Sequence, residues 1–135
     1  MQKCIKKLMQ IEAIADRRIA AIERKITNVA AFPYGDTERQ IASVLRAIER
    51  KRAVERLLDA AKKVRLALRK EELTIIELLI SGYSHMEIAS KINLPKTTAF
   101  RKCQSVVKTT ENVLFLLGYD YETLKRDCDL AYWQT

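Results

Sequence analysis

Apolar side chains recur three and four positions apart from the start of the chain: Ile5, Leu8, Ala15, Ile19, Ile22, Ile26 and Val29, with Glu12 the one polar intruder. That spacing returns every member to one stripe of an α-helix, an a/d seam over about four heptads, while Lys, Arg and Glu fill the other faces. A helix over residues 1 to about 31 is roughly 45 Å long at 1.5 Å per residue. So long and one-sided a helix is unstable by itself in water, because its stripe gains nothing until a partner covers it. The seam therefore demands a second helix.

The segment AAFPYGDTERQ supplies the turn toward one. Pro33 and Gly35 break the first helix, Asp36 or Thr37 caps the next, and Thr37 with Gln40 has capping-box spacing. The apolar positions that follow, Ile41, Val44, Leu45 and Ile48, then Val54, Leu57, Leu58, Ala61, Val64 and Leu68, fall into two registers separated by ERKR at 49–52. A short connection between long amphipathic helices makes an antiparallel hairpin, here a coiled-coil-like arm over residues 1–70. The register change predicts either a local distortion or a handover to a different partner surface near Lys51. The basic residues Arg46, Arg50, Lys51, Lys62, Lys63 and Arg69 read as a solvated face, or as an arm that touches phosphate or a partner.

Only 3 glycines and 2 prolines among 135 residues argue against hairpins, sandwiches and phosphate loops, so the expected fold class is all-α. No apolar run reaches the roughly 18 to 20 residues of a membrane span, and MQKCIKKLMQIEAIADRR is charged where a leader peptide is apolar, which places the chain in a cytosol. Cys4, Cys103 and Cys128 are odd in number and far apart, without histidines at ligand spacing. They read as buried or half-buried free thiols rather than a disulfide framework or a zinc site. With no nucleophile, base and acid set, no carboxylate pair at metal spacing and no Gly-rich loop, the expectation is a protein that is not an enzyme and takes no cofactor or metal.

The second half is punctuated more finely. ELTIIELLIS, residues 72–81, forms a short helix with Leu73, Ile76, Leu79 and Ile80 inward, stopped by Gly82 where a left-handed residue is wanted. Ser84 caps the next helix with Glu87 completing its box, and Ile88, Ala89 and Ile92 face inward. In INLP, Asn93 tolerates a positive φ, Leu94 plugs the corner, and Pro95 suits a first turn. A third helix from about residue 96 turns Ala99, Cys103 and Val106 or Val107 toward the first two. Its other face shows Lys96, Thr97, Phe100, Arg101 and Gln104. This layout is that of a helix-turn-helix, whose last helix offers its N-terminal residues to the major groove. Arg101 and Lys96 suit guanine or phosphate, Gln104 suits adenine, and Thr97 or Phe100 a thymine methyl. Phe100 also reads as a core residue.

LTIIELLISGYSHMEIASKINLPKTTAFRKCQSVVK resembles the C-terminal promoter-reading domain (region 4) of sigma-70 factors and the related LuxR-type effector domain. The matching positions are Leu73, Thr74, Glu77, Gly82, Ser84, Glu87, Ile88, Ala89, Leu94 and Thr98, within about residues 72–110. Asn93 stands where that family often has Gly, Pro95 where it has Ser or Thr, and Ala99 where it has Val, which leaves the target sequence open. A helical arm ahead of such a module is also similar to the small sigma-like phage regulators of the ArpU type. The resemblance implies DNA contacts at Lys96, Thr97, Phe100, Arg101 and Gln104, with Ser84 and His85 near a phosphate. Charge, rather than the resemblance, adds Lys102 and Lys108 on the third helix and Arg50 and Lys51 on the arm as phosphate or partner contacts. His85, the only histidine, reads otherwise as an ordinary helix N-terminal residue.

The third helix runs on through SVVKTTENVLFLL to Gly118, and Asp120 caps a terminal helix that carries Tyr119, Tyr121, Leu124, Leu130, Tyr132 and Trp133. Such a helix folds back on the arm or forms a subunit contact. The division is thus an arm at 1–70, a helix-turn-helix at 71–117 and a short helix at 118–135. Net charge is +8, but residues 1–70 hold 18 basic and 8 acidic side chains, residues 71–117 hold 5 of each, and residues 118–135 hold 2 and 4. The reading unit is neutral as a whole, so it needs the arm or a second subunit to gather phosphate contacts. The function expected is that of a sequence-specific, double-stranded-DNA-binding transcription regulator, phage-encoded, homodimeric or acting against RNA polymerase, in the bacterial cytosol at the nucleoid. The alternatives are a helical adaptor of anti-sigma kind and a phage DNA-packaging or recombination accessory.

Overall fold

The structure, a computed structural model, describes residues 2–31 and 37–133. Among them the chain forms six helices and no strand: α1 (Gln2–Ala31), α2 (Thr37–Ala67), α3 (Lys70–Ile80), α4 (His85–Lys91), α5 (Lys96–Leu116) and α6 (Tyr121–Ala131). The fold is all-α. Pro33, Gly35 and Asp36 lie outside the described residues, as does the cap position ahead of Thr37, which is already the first residue of α2. No described helix is long and apolar enough to cross a membrane.

The two long helices lie side by side. Glu12 pairs with Arg65 at 3.0 Å and Glu23 with Lys51 at 3.1 Å, so numbers rise along one helix as they fall along the other, and the two run antiparallel. Glu12, the intruder in the seam, thus has a cation beside it. Arg65 forks onward to Glu77 of α3, and the Glu77 hydrogen bond with the charge of both carboxylates holds its guanidinium above its ordinary pKa.

The stripe on α1 is wider than the seam. Cys4, Met9 and Ile11 are buried together with Ile5, Leu8, Ala15 and Ile22, whereas Ile19, Ile26 and Val29 are only half-buried. The cause is unequal coverage: α1 meets α3, α5 and α6 besides α2. The contacts to α6 and the two residues after it fall on Cys4, Lys7 and Arg18 of α1.

The two registers on α2 have a related explanation. α2 is one continuous helix that runs unbroken through Lys51. Before that point Ile41 and Leu45 remain 55% and 57% exposed and Ala47 alone of the described α2 residues is buried; beyond it Ala53, Val54, Leu57, Ala60, Ala61 and Val64 are buried. The change marks the arrival of α6, which packs on α2. Asp127 of α6 is fully buried and accepts two hydrogen bonds from Arg56 of α2, at 3.0 and 2.8 Å, and one from the Tyr119 hydroxyl at 2.7 Å. Burial alone would raise the carboxyl's pKa, but those hydrogen bonds and the Arg56 charge outweigh it and lower the pKa below the ordinary value.

Past Leu124 and Cys128, α6 ends against the arm. Tyr132 donates to the Lys7 carbonyl at 2.6 Å, and the guanidinium groups of Arg18 and Arg50 both lie over the Trp133 ring, 5.0 and 4.8 Å from its centroid. The terminal helix therefore folds back on the arm. One hydrophobic core runs from Cys4 through Val64, Ile76 and Leu114 to Ala131.

Candidate nucleic-acid interface

The candidate site is built by α3, α4 and α5, which touch one another in every pairing. α3 begins at a break that carries no glycine or proline. Leu68 is drawn into the core, Arg69 turns extended, and its N–H donates to Glu72 at 3.0 Å. α3 buries Ile75 and Ile76, while Leu73, Leu79 and Ile80 are half-buried. The expected inward set of Leu73, Ile76, Leu79 and Ile80 is corrected by one position, Ile75, because the helix lies between α1 on one side and α4 and α5 on the other.

The turns follow their residue chemistry. Gly82 takes φ +90° and Asn93 φ 55°, the left-handed values that ended α3 and α4. The Ser84 hydroxyl accepts from the Glu87 N–H at 3.2 Å, and the Ser84 N–H donates to the Glu87 carboxylate at 3.4 Å. Leu94, half-buried, sits in the corner, and Pro95 immediately precedes the helix at its N-cap. Ile88, Ala89, Ala99, Cys103 and Val106 seal the interior, where burial raises the pKa of the Cys103 thiol. Further along, Thr110 is fully buried and donates to the Val106 carbonyl at 2.9 Å.

Opposite that sealed face, α5 presents a ridge. Lys96, Thr97, Phe100, Arg101, Gln104 and Lys108 are all exposed, and Thr97, Arg101, Gln104 and Lys108 follow each other at intervals of three or four residues. Among the described residues Lys96, Arg101 and Lys108 form no ion pair. Lys102, one step round the helix, is committed to Glu71 of α3. Phe100 is neither core nor free: its ring stands edge-on to His85, 4.9 Å between centroids at 66°, with 43% of the residue exposed. His85 is consequently half-buried, and the Ser84 hydroxyl is already engaged as a cap.

The arm candidates divide. Lys51 pairs with Glu23, Lys63 with Asp59 one turn away at 2.9 Å, and Arg50 stacks on Trp133. Arg46, Lys62 and Arg69 are exposed. Among the described residues no group of three His, Cys, Asp or Glu side chains is arranged to hold a metal ion.

One feature escaped sequence reasoning. Phe115 and Leu116 are 73% and 84% exposed at the end of α5, beside the part-exposed Leu117 and Tyr121. Its signal was the run Val113, Leu114, Phe115, Leu116, Leu117: five successive apolar residues cannot all face one side of a helix. Comparison of the chain with protein-family models, curated proteins and solved structures returns no match.

Proposed function

We propose that the chain is a sequence-specific DNA-binding transcription regulator of the bacterial cytosol, which inserts the first turns of α5 in the major groove as the reading helix of a sigma-like helix-turn-helix. The observation that carries this reading is the solvent-facing ridge at the N-terminal half of α5, where cations without ion-pair partners alternate with a hydroxyl and an amide. A protruding helix backed by two others has the shape to enter a groove about 12 Å wide. Arg101 then reads guanine, Gln104 adenine and Thr97 a thymine methyl, while Lys96 and Lys108 meet phosphates. The edge-on packing of Phe100 on His85 gives both residues a positioning role, holding the start of α5 against α4. RNA polymerase is the partner that the sigma-like pattern suggests, and a phage genome the origin.

The test begins with selection of bound duplexes from a random pool. Arg101→Ala should then cost roughly 1 to 3 kcal/mol of discrimination at one position of the selected site, with helicity unchanged. A uniform loss on every duplex would reduce Arg101 to a phosphate contact. Were the chain an adaptor that touches only protein, duplex binding would be weak at every salt concentration.

A further inference from the structure

The exposed corner between α5 and α6 has no role in the reading of DNA. Phe115, Leu116, Leu117 and Tyr121 lie within seven positions of the chain, on the last turn of one helix, its cap and the first turn of the next. From their exposure they bare on the order of 400 Å² of apolar surface, the scale of the largest patch on a typical monomer, which is often functional. A standard interface takes about 800 Å² from each partner, an apolar centre inside a polar rim. The corner has the size of such a centre. Its rim carries both signs, Asp120 and Glu122 at the start of α6, Lys125 and Arg126 one turn later.

We infer that this corner is the dimer interface, and that its occupant is the same corner of a second copy of this chain. Charge separates it from another exposed apolar pair among the described residues, Ile41 and Leu45 on α2. That pair belongs to residues 1–70, whose 18 basic and 8 acidic side chains repel another arm, whereas the corner joins residues 71–117, with 5 of each, to residues 118–135, with 2 basic and 4 acidic, of which Asp127 is buried against Arg56. Two copies of a cationic chain meet most favourably at their least cationic part. A mixed-sign rim suits a two-fold axis that brings Asp120 and Glu122 of one copy to Lys125 and Arg126 of the other, each pairing then occurring twice.

Geometry adds an argument that rests on the DNA-binding reading. From Phe100 at the ridge to Phe115 at the corner α5 rises about 22 Å at 1.5 Å per residue. Two copies joined at their corners hold their ridges up to about 50 Å apart with the helix axes in line, and closer as the axes incline. The roughly 34 Å between half-sites one turn apart falls inside that reach.

Sedimentation equilibrium of the full chain without DNA tests the interface apart from the reading of DNA. The wild type is expected at twice the 15.6 kDa of one chain at micromolar concentration. Phe115→Ser with Leu116→Ser should weaken the dimer by about 30-fold or more, with an unchanged circular dichroism spectrum because both side chains are exposed. Ile41→Ser with Leu45→Ser should leave the mass doubled. A wild type that sediments as one chain throughout, a corner variant that dimerises as well as the wild type, or an arm variant that alone dissociates would each overturn the proposal. If no duplex is selected yet the corner variant dissociates, the interface stands and the DNA reading fails.

Discussion

Asp127 shows what single residues do here. A carboxylate with no exposed surface is costly unless every lone pair is used, and here Arg56 and Tyr119 fill the demand. Arg56 is itself about half exposed, at 48% of its side chain, so on losing Asp127 it can rehydrate. Asp127→Ala should therefore destabilise by about 2 to 3 kcal/mol in urea unfolding, below what a fully buried pair loses. Because the folded pKa of Asp127 lies below the unfolded one, its stabilisation is present above the unfolded value and is lost as pH falls through the folded value. The stability gap between wild type and Asp127→Asn should stay level near neutrality and shrink below about pH 4. Thiols add a second measurement. Burial and the neighbouring Cys4 push the Cys128 thiol up to about 12, and all three cysteines are buried and free. An aromatic disulfide reagent at pH 8 should label them no faster than the protein opens, and all three at once in urea.

At the scale of elements, the short helices depend on their punctuation. α4 has seven residues, too few to persist without its ends, so Ser84→Ala should cost about 1 kcal/mol by thermal unfolding. Gly82→Ala should cost a similar amount, about 1 kcal/mol, although no atom lies within 4 Å of the added Cβ, because φ +90° is strained for any L side chain. These features were legible in the sequence because the cause is local: Gly82, Ser84 with Glu87, Asn93, Gly118 and Asp120 each act within three or four residues. The ridge on α5 was legible for the same reason, since period and composition place Arg101 and Gln104 opposite Ala99 and Cys103. What was not legible depends on distant partners. Ile11 and Met9 are buried because α1 is covered from more than one side, and Asp127 is buried because Arg56 lies 71 residues away in the chain. No window of sequence holds both ends of those contacts. Arg50, a plausible phosphate contact by charge alone, is instead stacked on Trp133 for the same reason.

At the scale of the whole molecule, the proposed DNA binding makes a quantitative prediction from the distribution of charge. Net charge is +8 and the arm holds the surplus, yet Arg18, Arg50, Lys51, Arg56, Lys63 and Arg65 are each engaged inside the molecule, on carboxylates, aromatic rings or a backbone carbonyl. The cations exposed on α5 beside Thr97 and Gln104 are Lys96, Arg101 and Lys108. If Lys96 and Lys108 meet phosphates in each of two subunits, about four counterions are released per dimer, and log K against log salt should fall with a slope near −4. The corner variant, binding as one chain, should give about half that slope on a single half-site. Lys108→Ala should lower the dimer's slope by about 2 while leaving sequence preference intact, and Arg46→Ala on the arm should leave it unchanged. Anisotropy titrations of a selected duplex between low and moderate KCl measure all four. A slope much steeper than −4 that falls on Arg46→Ala would mean that the arm lies along the backbone, and that the surplus in residues 1–70 serves DNA directly.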